Sequence, residues 1–330
     1  MNKALVFGAT GSIGAELVLE LLRSGIHTVA FARSDKKLAN LQAEWEAISE
    51  AGNKQSSNVE TAYHPTLTLY TGDAYHLEDV LQAATGVDVI SHCVSVPYPE
   101  WKIGHPTLMN NVLTAAKYHQ AKVVVIDNIY AYGRAKTKLV NEQHSKEPHT
   151  TKGKIRLEVE QLVWKAHEEG TSCMLVHLPD FYGPHAHNTF LGVTLQAMAK
   201  GKPSMFIGDP NVQREYIYTP DAAQAIVQLA KRPHTFGTTW NIPGSGTISA
   251  KQIREIARLY NGRKNLIIPV GSKLMTMLGW FQPFMREMVE MMYVTEATLQ
   301  LDGSKYEREL GTLVHTQYDQ GIKECLKRLS

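Results

Sequence analysis

Ala4-Leu5-Val6-Phe7, then Gly8-Ala9-Thr10-Gly11-Ser12-Ile13-Gly14, then Ala15-Glu16-Leu17-Val18-Leu19-Glu20-Leu21-Leu22, reads as a short apolar strand, a glycine loop and a helix with apolar residues at helical spacing. That order forms a crossover able to hold a dinucleotide. Gly8 permits a sharp turn, Gly11 lets the backbone approach a pyrophosphate, and Gly14 lets the helix pack close to the strand. The N–H groups and positive end of the helix favour phosphate charge. Thr10, Ser12 and Ile13 complete the expected contact loop.

Strand-like and helical patterns alternate after this unit. Strands are expected at residues 4–7, 28–32, 67–70, 87–91, 123–126 and 173–178, with helices at 12–24, 35–49, 77–84, 107–119 and 154–169. Such alternation predicts an α/β fold: a Rossmann-like, doubly wound parallel sheet with helices on both faces. A polar stretch at about 50–66 reads as a surface insertion. Residues 1–183 then form the dinucleotide-binding domain. Residues 184–330 form mainly a smaller α+β substrate lobe, with some segments returning to the sheet. In that lobe helices are expected at 191–200, 221–231 and 249–260, strands at 204–207, 215–218 and 240–242, and Met-rich helical sequence at 272–293.

The 330 residues carry a net charge of +2 with no single basic run. This predicts neither nucleic acid nor membrane as a partner, and a small molecule instead. Cys93, Cys173 and Cys325 lie far apart and read as buried free thiols of a cytoplasmic protein. No apolar stretch is long enough to span a bilayer. The pair His185 and His187 lacks recognisable companion ligands, so no metal is expected.

Arg33 follows the second strand, where a carboxylate would bind the ribose hydroxyls of NAD. A guanidinium there suits the ribose phosphate of NADP, so the sequence favours NADP over NAD. Asp35 is expected, with Ser34, to cap the next helix. Asp73 ends the third strand, where a carboxylate can accept from an adenine amino group.

Together the glycine loop, Gly72-Asp73, Tyr132-Gly133, Asp180-Phe181-Tyr182-Gly183-Pro184 and Tyr216-Ile217-Tyr218-Thr219-Pro220-Asp221 resemble the short-chain dehydrogenase/reductase superfamily. The match is to its atypical and extended branch, the NAD-dependent epimerase/dehydratase family. The resemblance implies a catalytic Ser or Thr, a Tyr, and a Lys four residues beyond it. It puts Asn128 at the Ser/Thr position, Lys152 at the Tyr position and Arg156 at the Lys position, so this set is degenerate. Asn128 can hold a carbonyl oxygen through its amide, and Arg156 can donate to ribose hydroxyls. Tyr130 is the preferred substitute acid, because it follows the strand whose end should face the cleft. The alternative for Lys152 and Arg156 is a solvated helix face with an Arg156–Glu160 pair.

Ser95, Tyr98, Asp180, Phe181, Tyr182 and His185 are expected to line a substrate pocket, with Arg214 as a candidate phosphate clamp. Three functions fit. The first is an NADP-dependent oxidoreductase acting on a small carbonyl or alcohol. The others are a nucleotide-sugar epimerase or dehydratase, and a nucleotide-binding sensor without turnover. The resemblance further implies a homodimer through the helices at 107–119 and 154–169.

Overall fold

The computed structural model describes residues 1–55, 65–280 and 283–329. The first half runs β1 (Lys3–Phe7), α1 (Ser12–Arg23), β2 (His27–Ala32), α2 (Asp35–Gln55), β3 (Leu67–Thr71), α3 (Leu77–Ala83), β4 (Val89–His92), α4 (Trp101–His119), β5 (Lys122–Asn128), β6 (Leu139–Val140), α5 (Thr151–Glu168) and β7 (Cys173–Leu178). It continues with β8 (Asp180–Tyr182), α6 (Phe190–Ala199), β9 (Ser204–Ile207), β10 (Arg214–Tyr218), α7 (Thr219–Ala230), β11 (Thr239–Asn241), β12 (Thr247–Ile248), α8 (Ala250–Asn261), β13 (Ile267–Val270), α9 (Ser272–Gly279), α10 (Pro283–Val289), β14 (Gln300–Leu301), α11 (Ser304–Leu310) and α12 (Tyr318–Leu329).

Seven parallel strands form the central sheet in the order β11-β7-β5-β4-β1-β2-β3. Its inner strands β1, β5 and β7 read as nearly continuous apolar runs because helices cover both faces, whereas the edge strand β3 alternates. Leu17, Leu21, Ala222 and Ile226 of α1 and α7 pack one face. Leu108, Val112, Val159 and Val163 of α4 and α5 pack the other. The order reverses between β1 and β4, and a cleft opens at their C-terminal ends, as this topology requires.

The second lobe holds the sheets β12-β10-β8 and β13-β9. Its core gathers Tyr182, Tyr216, Tyr218, Leu195, Ile253 and Ile322. Strand β11, from late in the chain, returns to the central sheet beside β7.

Several boundaries differ from the sequence reading, three of them with consequences for packing. Helix α4 begins at Trp101, not 107, because Trp101 is buried and its Nε1 donates to Val96 O at 2.8 Å. Helix α2 continues to Gln55, through the start of the expected insertion, whose residues 56–64 lie outside the described ones. The Met-rich stretch divides into α9, α10 and a 3₁₀ turn at Met292–Thr295.

Candidate active site

A cleft of about 630 Å³ lies over the β1/β4 switch point. Gly8, Thr10, Gly11 and Ser12 form its floor. Ile13 and Gly14 are buried behind them. A Cβ on Gly14 would sit 2.1 Å from Gly8 O, so only glycine allows α1 to approach β1 this closely. A Cβ on Gly11 would meet Gly8 O alone, at 3.1 Å. Gly11 caps α1 and supplies no side-chain acceptor, which leaves the first-turn N–H groups for an anion. These features fit the pyrophosphate of a dinucleotide.

Arg33 and Lys37 line the same cleft. Asp35 turns away: its carboxylate takes a hydrogen bond from the Thr71 hydroxyl of β3. Ser34 alone serves the start of α2, through Lys37 N at 3.4 Å. Asp73 also lines the cleft, positioned by its N–H to Asp79 Oδ2 (2.8 Å) and by Tyr75 N to its Oδ1 (3.0 Å). Ser95 lies on the opposite wall with Cys93, Val94 and Val96.

His185 belongs to this nucleotide cleft and not to the substrate end. The loop after β8 folds back over α1 and α2, so its imidazole bridges Glu16 (2.7 Å) and Glu44 (2.9 Å). Arg328 of α12 pairs with the same Glu44 at 2.9 Å. Burial opposes the charge on His185, but its bonds to Glu16 and Glu44 hold it protonated, up to about 9. Burial likewise works against Glu44, yet His185 and Arg328 pull its carboxyl down to about 2.

Beyond the ends of β4 and β5 lies an aromatic cluster. Asn128 Oδ1 accepts from Tyr130 N at 2.9 Å and so caps the 3₁₀ turn Ile129–Tyr132. This fixes Tyr130, whose hydroxyl meets that of Tyr98 at 3.1 Å. Trp101, Met291 and Tyr293 pack around the pair. Burial raises both phenol pKa values, and Tyr98 and Asp180 raise that of Tyr130 further. Both side chains therefore stay protonated through the neutral range.

Lys152 and Arg156 do not form a solvated face: they are 3% and 5% exposed. Lys152 pairs with Glu287 of α10 and with Glu290, and its ammonium lies 5.8 Å from the Tyr98 ring centroid. Arg156 donates from Nε to Asp127 Oδ1 at 2.6 Å, reaches His105 Nδ1 at 3.1 Å and lies over Trp101. Burial and the Arg156 charge push His105 down to about 2, so it stays neutral. Glu160 pairs with Lys146 and His177, not with Arg156. Asp127, Glu160 and His177 lie close enough to share an ion. Arg156 and Lys146 already neutralise the two carboxylates, which disfavours a divalent cation there.

The remaining expected substrate residues separate. Asp180 shares a cavity of about 30 Å³ with Tyr130 and Arg214. Burial raises the Asp180 carboxyl pKa and Arg214 lowers it. Arg214 donates to Ile207 O at 2.8 Å and lies 4.2 Å from the Phe206 ring centroid. Its buried Nε has no hydrogen-bond partner among the described residues. Glu215 is not its counterion, since that carboxylate accepts from Gly244 N and Leu301 N, and burial pushes it up to about 8. Phe181 packs against the core below the sheet. Tyr182 is no pocket residue: it is 1% exposed in the second lobe's core, its ring stacked on Tyr318.

Sequence reasoning missed Glu44, Asn40 and Arg328 of the cleft, and Trp101 of the aromatic cluster. No local motif marks them, because distant segments bring them to the site.

A switch-point cleft with a glycine floor, beside a second lobe with its own small sheets, is the arrangement of a dinucleotide-binding fold. The model of the NAD dependent epimerase/dehydratase family matches residues 4–242, and the chain belongs to that family. It is 26% identical over 286 residues to YtcB of Bacillus subtilis (strain 168), described as an uncharacterized UDP-glucose epimerase, covering 79% of this chain and 83% of that one. Among solved structures, it resembles the UDP-glucuronic acid 4-epimerase of Bacillus cereus in complex with NAD. The TM-score is 0.75 at 19% identity, over 99% of this chain and 98% of the other. It also resembles the dTDP-glucose 4,6-dehydratase of Bacillus anthracis str. Ames in complex with NAD, with a TM-score of 0.77 at 17% identity over 99% and 96%. These likenesses reinforce the fold, and an enzyme using a nicotinamide dinucleotide is the expectation of the family.

Proposed function

We propose that this protein is a nicotinamide-dinucleotide enzyme of a nucleoside-diphosphate-linked sugar, with a relocated proton carrier. This revises the first expectation, a small free carbonyl or alcohol, toward the epimerase/dehydratase reading that the relatives' names favour. The observation that carries it is the Tyr98–Tyr130 hydroxyl pair, at 3.1 Å across the ends of two strands. It supplies phenols where the family's own Tyr position holds Lys152.

When bound, the dinucleotide supplies the hydride acceptor or donor. Gly8, Thr10, Gly11 and Ser12 would hold its phosphates. Arg33 and Lys37 would favour the ribose-phosphorylated form, NADP, and Asp73 could accept from an adenine amino group. Tyr130, kept protonated by burial, donates a proton to the substrate oxygen, and Tyr98 shares the charge through their hydrogen bond. Arg214 offers its unpartnered Nε to a substrate phosphate.

One observation favours a second reading, binding without turnover. Lys152 and Arg156 are both consumed by buried ion pairs, and Tyr98, Trp101, Tyr130, Met291 and Tyr293 close over the reacting end. Incubation with NADP or NAD and a panel of UDP- and dTDP-sugars, with products separated chromatographically, decides between them. A new sugar nucleotide supports the enzyme. Tight dinucleotide binding by calorimetry without any product supports the second reading.

A further inference from the structure

The reacting end is closed. Tyr130 is 6% exposed, and the cavity it shares with Asp180 and Arg214 measures about 30 Å³. Ordinary ligand pockets measure about 300–1,000 Å³. Among the described residues, the walls of the nucleotide cleft include Cys93, Val94, Ser95 and Val96 but not Asn128, Tyr130 or Lys152. One stretch, residues 285–296, does the closing. Its Met291 and Tyr293 pack on Trp101, Tyr130 and Ile155, and its Val294 lines the small cavity. Its Met288 and Met292 are buried against Val270 and Met275. Both clusters are small and separate from the two cores that cover the central sheet. Satellite packing of this kind opens at a lower free energy than a main core, and methionine repacks readily.

Ion pairs fasten the stretch at two places. Lys152 of α5, 3% exposed, meets Glu287 of α10 and, at 3.3 Å, Glu290. The Glu290 carboxylate also accepts from Thr151 N at 2.8 Å and Lys152 N at 3.3 Å, so it caps the start of α5. Farther on, Arg134 pairs with Glu296 at 3.4 Å and lies 5.5 Å from the Tyr293 ring centroid. That second pair is well exposed and contributes little. The tie to Lys152 is the stronger one, because its ammonium is out of water and holds two carboxylates of the same stretch.

We propose that residues 285–296 form a lid over the Tyr98–Tyr130 pair, latched by Lys152 through Glu287 and Glu290. Lys152 stands where the family resemblance puts a catalytic Tyr, and here it holds the lid instead of moving a proton. A sugar reaches the two phenols only after the lid swings away, so the inference rests on the function proposed above. The latch itself is a property of the protein without ligand and is measured without one.

The test is amide hydrogen exchange of the full chain, read by mass spectrometry on peptides from residues 285–296 and from β4 and β5. Lys152→Met removes the cation and keeps an apolar stem, and it speeds exchange of the lid about tenfold or more. Glu287→Gln, which leaves Lys152 in place, speeds it about threefold. Exchange in β4 and β5 stays at the wild-type rate in both. The double variant exchanges no faster than Lys152→Met, since the two changes break one latch. Unchanged lid exchange in both single variants overturns the proposal. Exchange raised equally in β4 and β5 makes Lys152 a support of the whole fold and overturns it too. Calorimetry with UDP-glucose in the presence of NADP then shows tighter binding to Glu287→Gln than to wild type, because a larger open fraction raises the apparent affinity. Equal affinity despite faster lid exchange shows that the stretch does not obstruct the substrate, which overturns the lid. Faster lid exchange in proteins that bind no sugar nucleotide supports the latch and places the failure in the proposed function.

Discussion

Tyr98 and Tyr130 reach each other hydroxyl to hydroxyl at 3.1 Å, although one follows β4 and the other β5. Neither is on the helix that carries Lys152 and Arg156. Burial keeps both phenols protonated, which suits a proton donor and disfavours a base. Tyr130→Phe should therefore lower kcat about 10²-fold or more, with little change in dinucleotide affinity. Tyr98→Phe should cost less, since it removes only the partner of the donor. Steady-state kinetics alongside calorimetry separates the two quantities. A Tyr130→Phe variant with wild-type turnover ends the assignment.

Arg33 is exposed in the cleft while Asp35 is tied to Thr71. Arg33→Asp should weaken binding of NADP about 10- to 100-fold, the worth of about 1.5–3 kcal/mol for a charge-assisted hydrogen bond. Binding of NAD should be unchanged or improved. Calorimetric titration of both dinucleotides reads the ratio directly, and an unaltered ratio would place the ribose phosphate away from Arg33.

The strand–glycine–helix unit and the alternation of the first half were legible because they depend on neighbours in sequence: Gly14 is glycine because Gly8 O lies six positions back. The cleft's loop residues and Arg33 follow from that same unit. What the sequence hid was the choice of side-chain partner. Arg156 looked ready for Glu160, one turn away, yet it reaches Asp127 on β5, because the sheet places that carboxylate beneath α5. Lys152 finds acids more than a hundred positions later, and His185 finds Glu16 and Glu44 far earlier. The two-residue strands β6 and β14 pair only with each other and carry no periodicity to read.

The Asp127–Arg156 pair, made through Asp127 Oδ1, sits almost wholly out of water, and Asp127 Oδ2 has no hydrogen-bond partner among the described residues. Arg156→Ala leaves a buried carboxylate without its cation, which should destabilise the protein by about 3–5 kcal/mol. Arg156→Lys should recover only part of this, since an ammonium cannot reproduce the contacts of the guanidinium with Asp127, His105 and Trp101. Chemical denaturation without dinucleotide measures both. A loss of activity in Arg156→Ala at undiminished stability would instead mark a direct role in binding or chemistry.

His185 ties the loop after β8 to Glu16 and Glu44 of the helices beside the cleft, and its charge should make that link pH-dependent. Its folded-state pKa, about 9, lies above the ordinary imidazole value of 6.5. A raised pKa means that the folded state holds the proton more tightly. The stabilisation is thus complete below about pH 6.5 and disappears as pH rises through about 9. The shift corresponds to about 3 kcal/mol at most, shared with Glu16 and Glu44 and not additional to their own contributions. Glu44, lowered to about 2, works in the other direction: its contribution is present above its ordinary range and fails only as pH falls toward 2. His185→Gln should therefore melt well below wild type at about pH 6, and the two melting curves should converge by about pH 10. If the gap stays constant across that range, His185 is neutral in the folded protein and its bonds to the two carboxylates carry no charge.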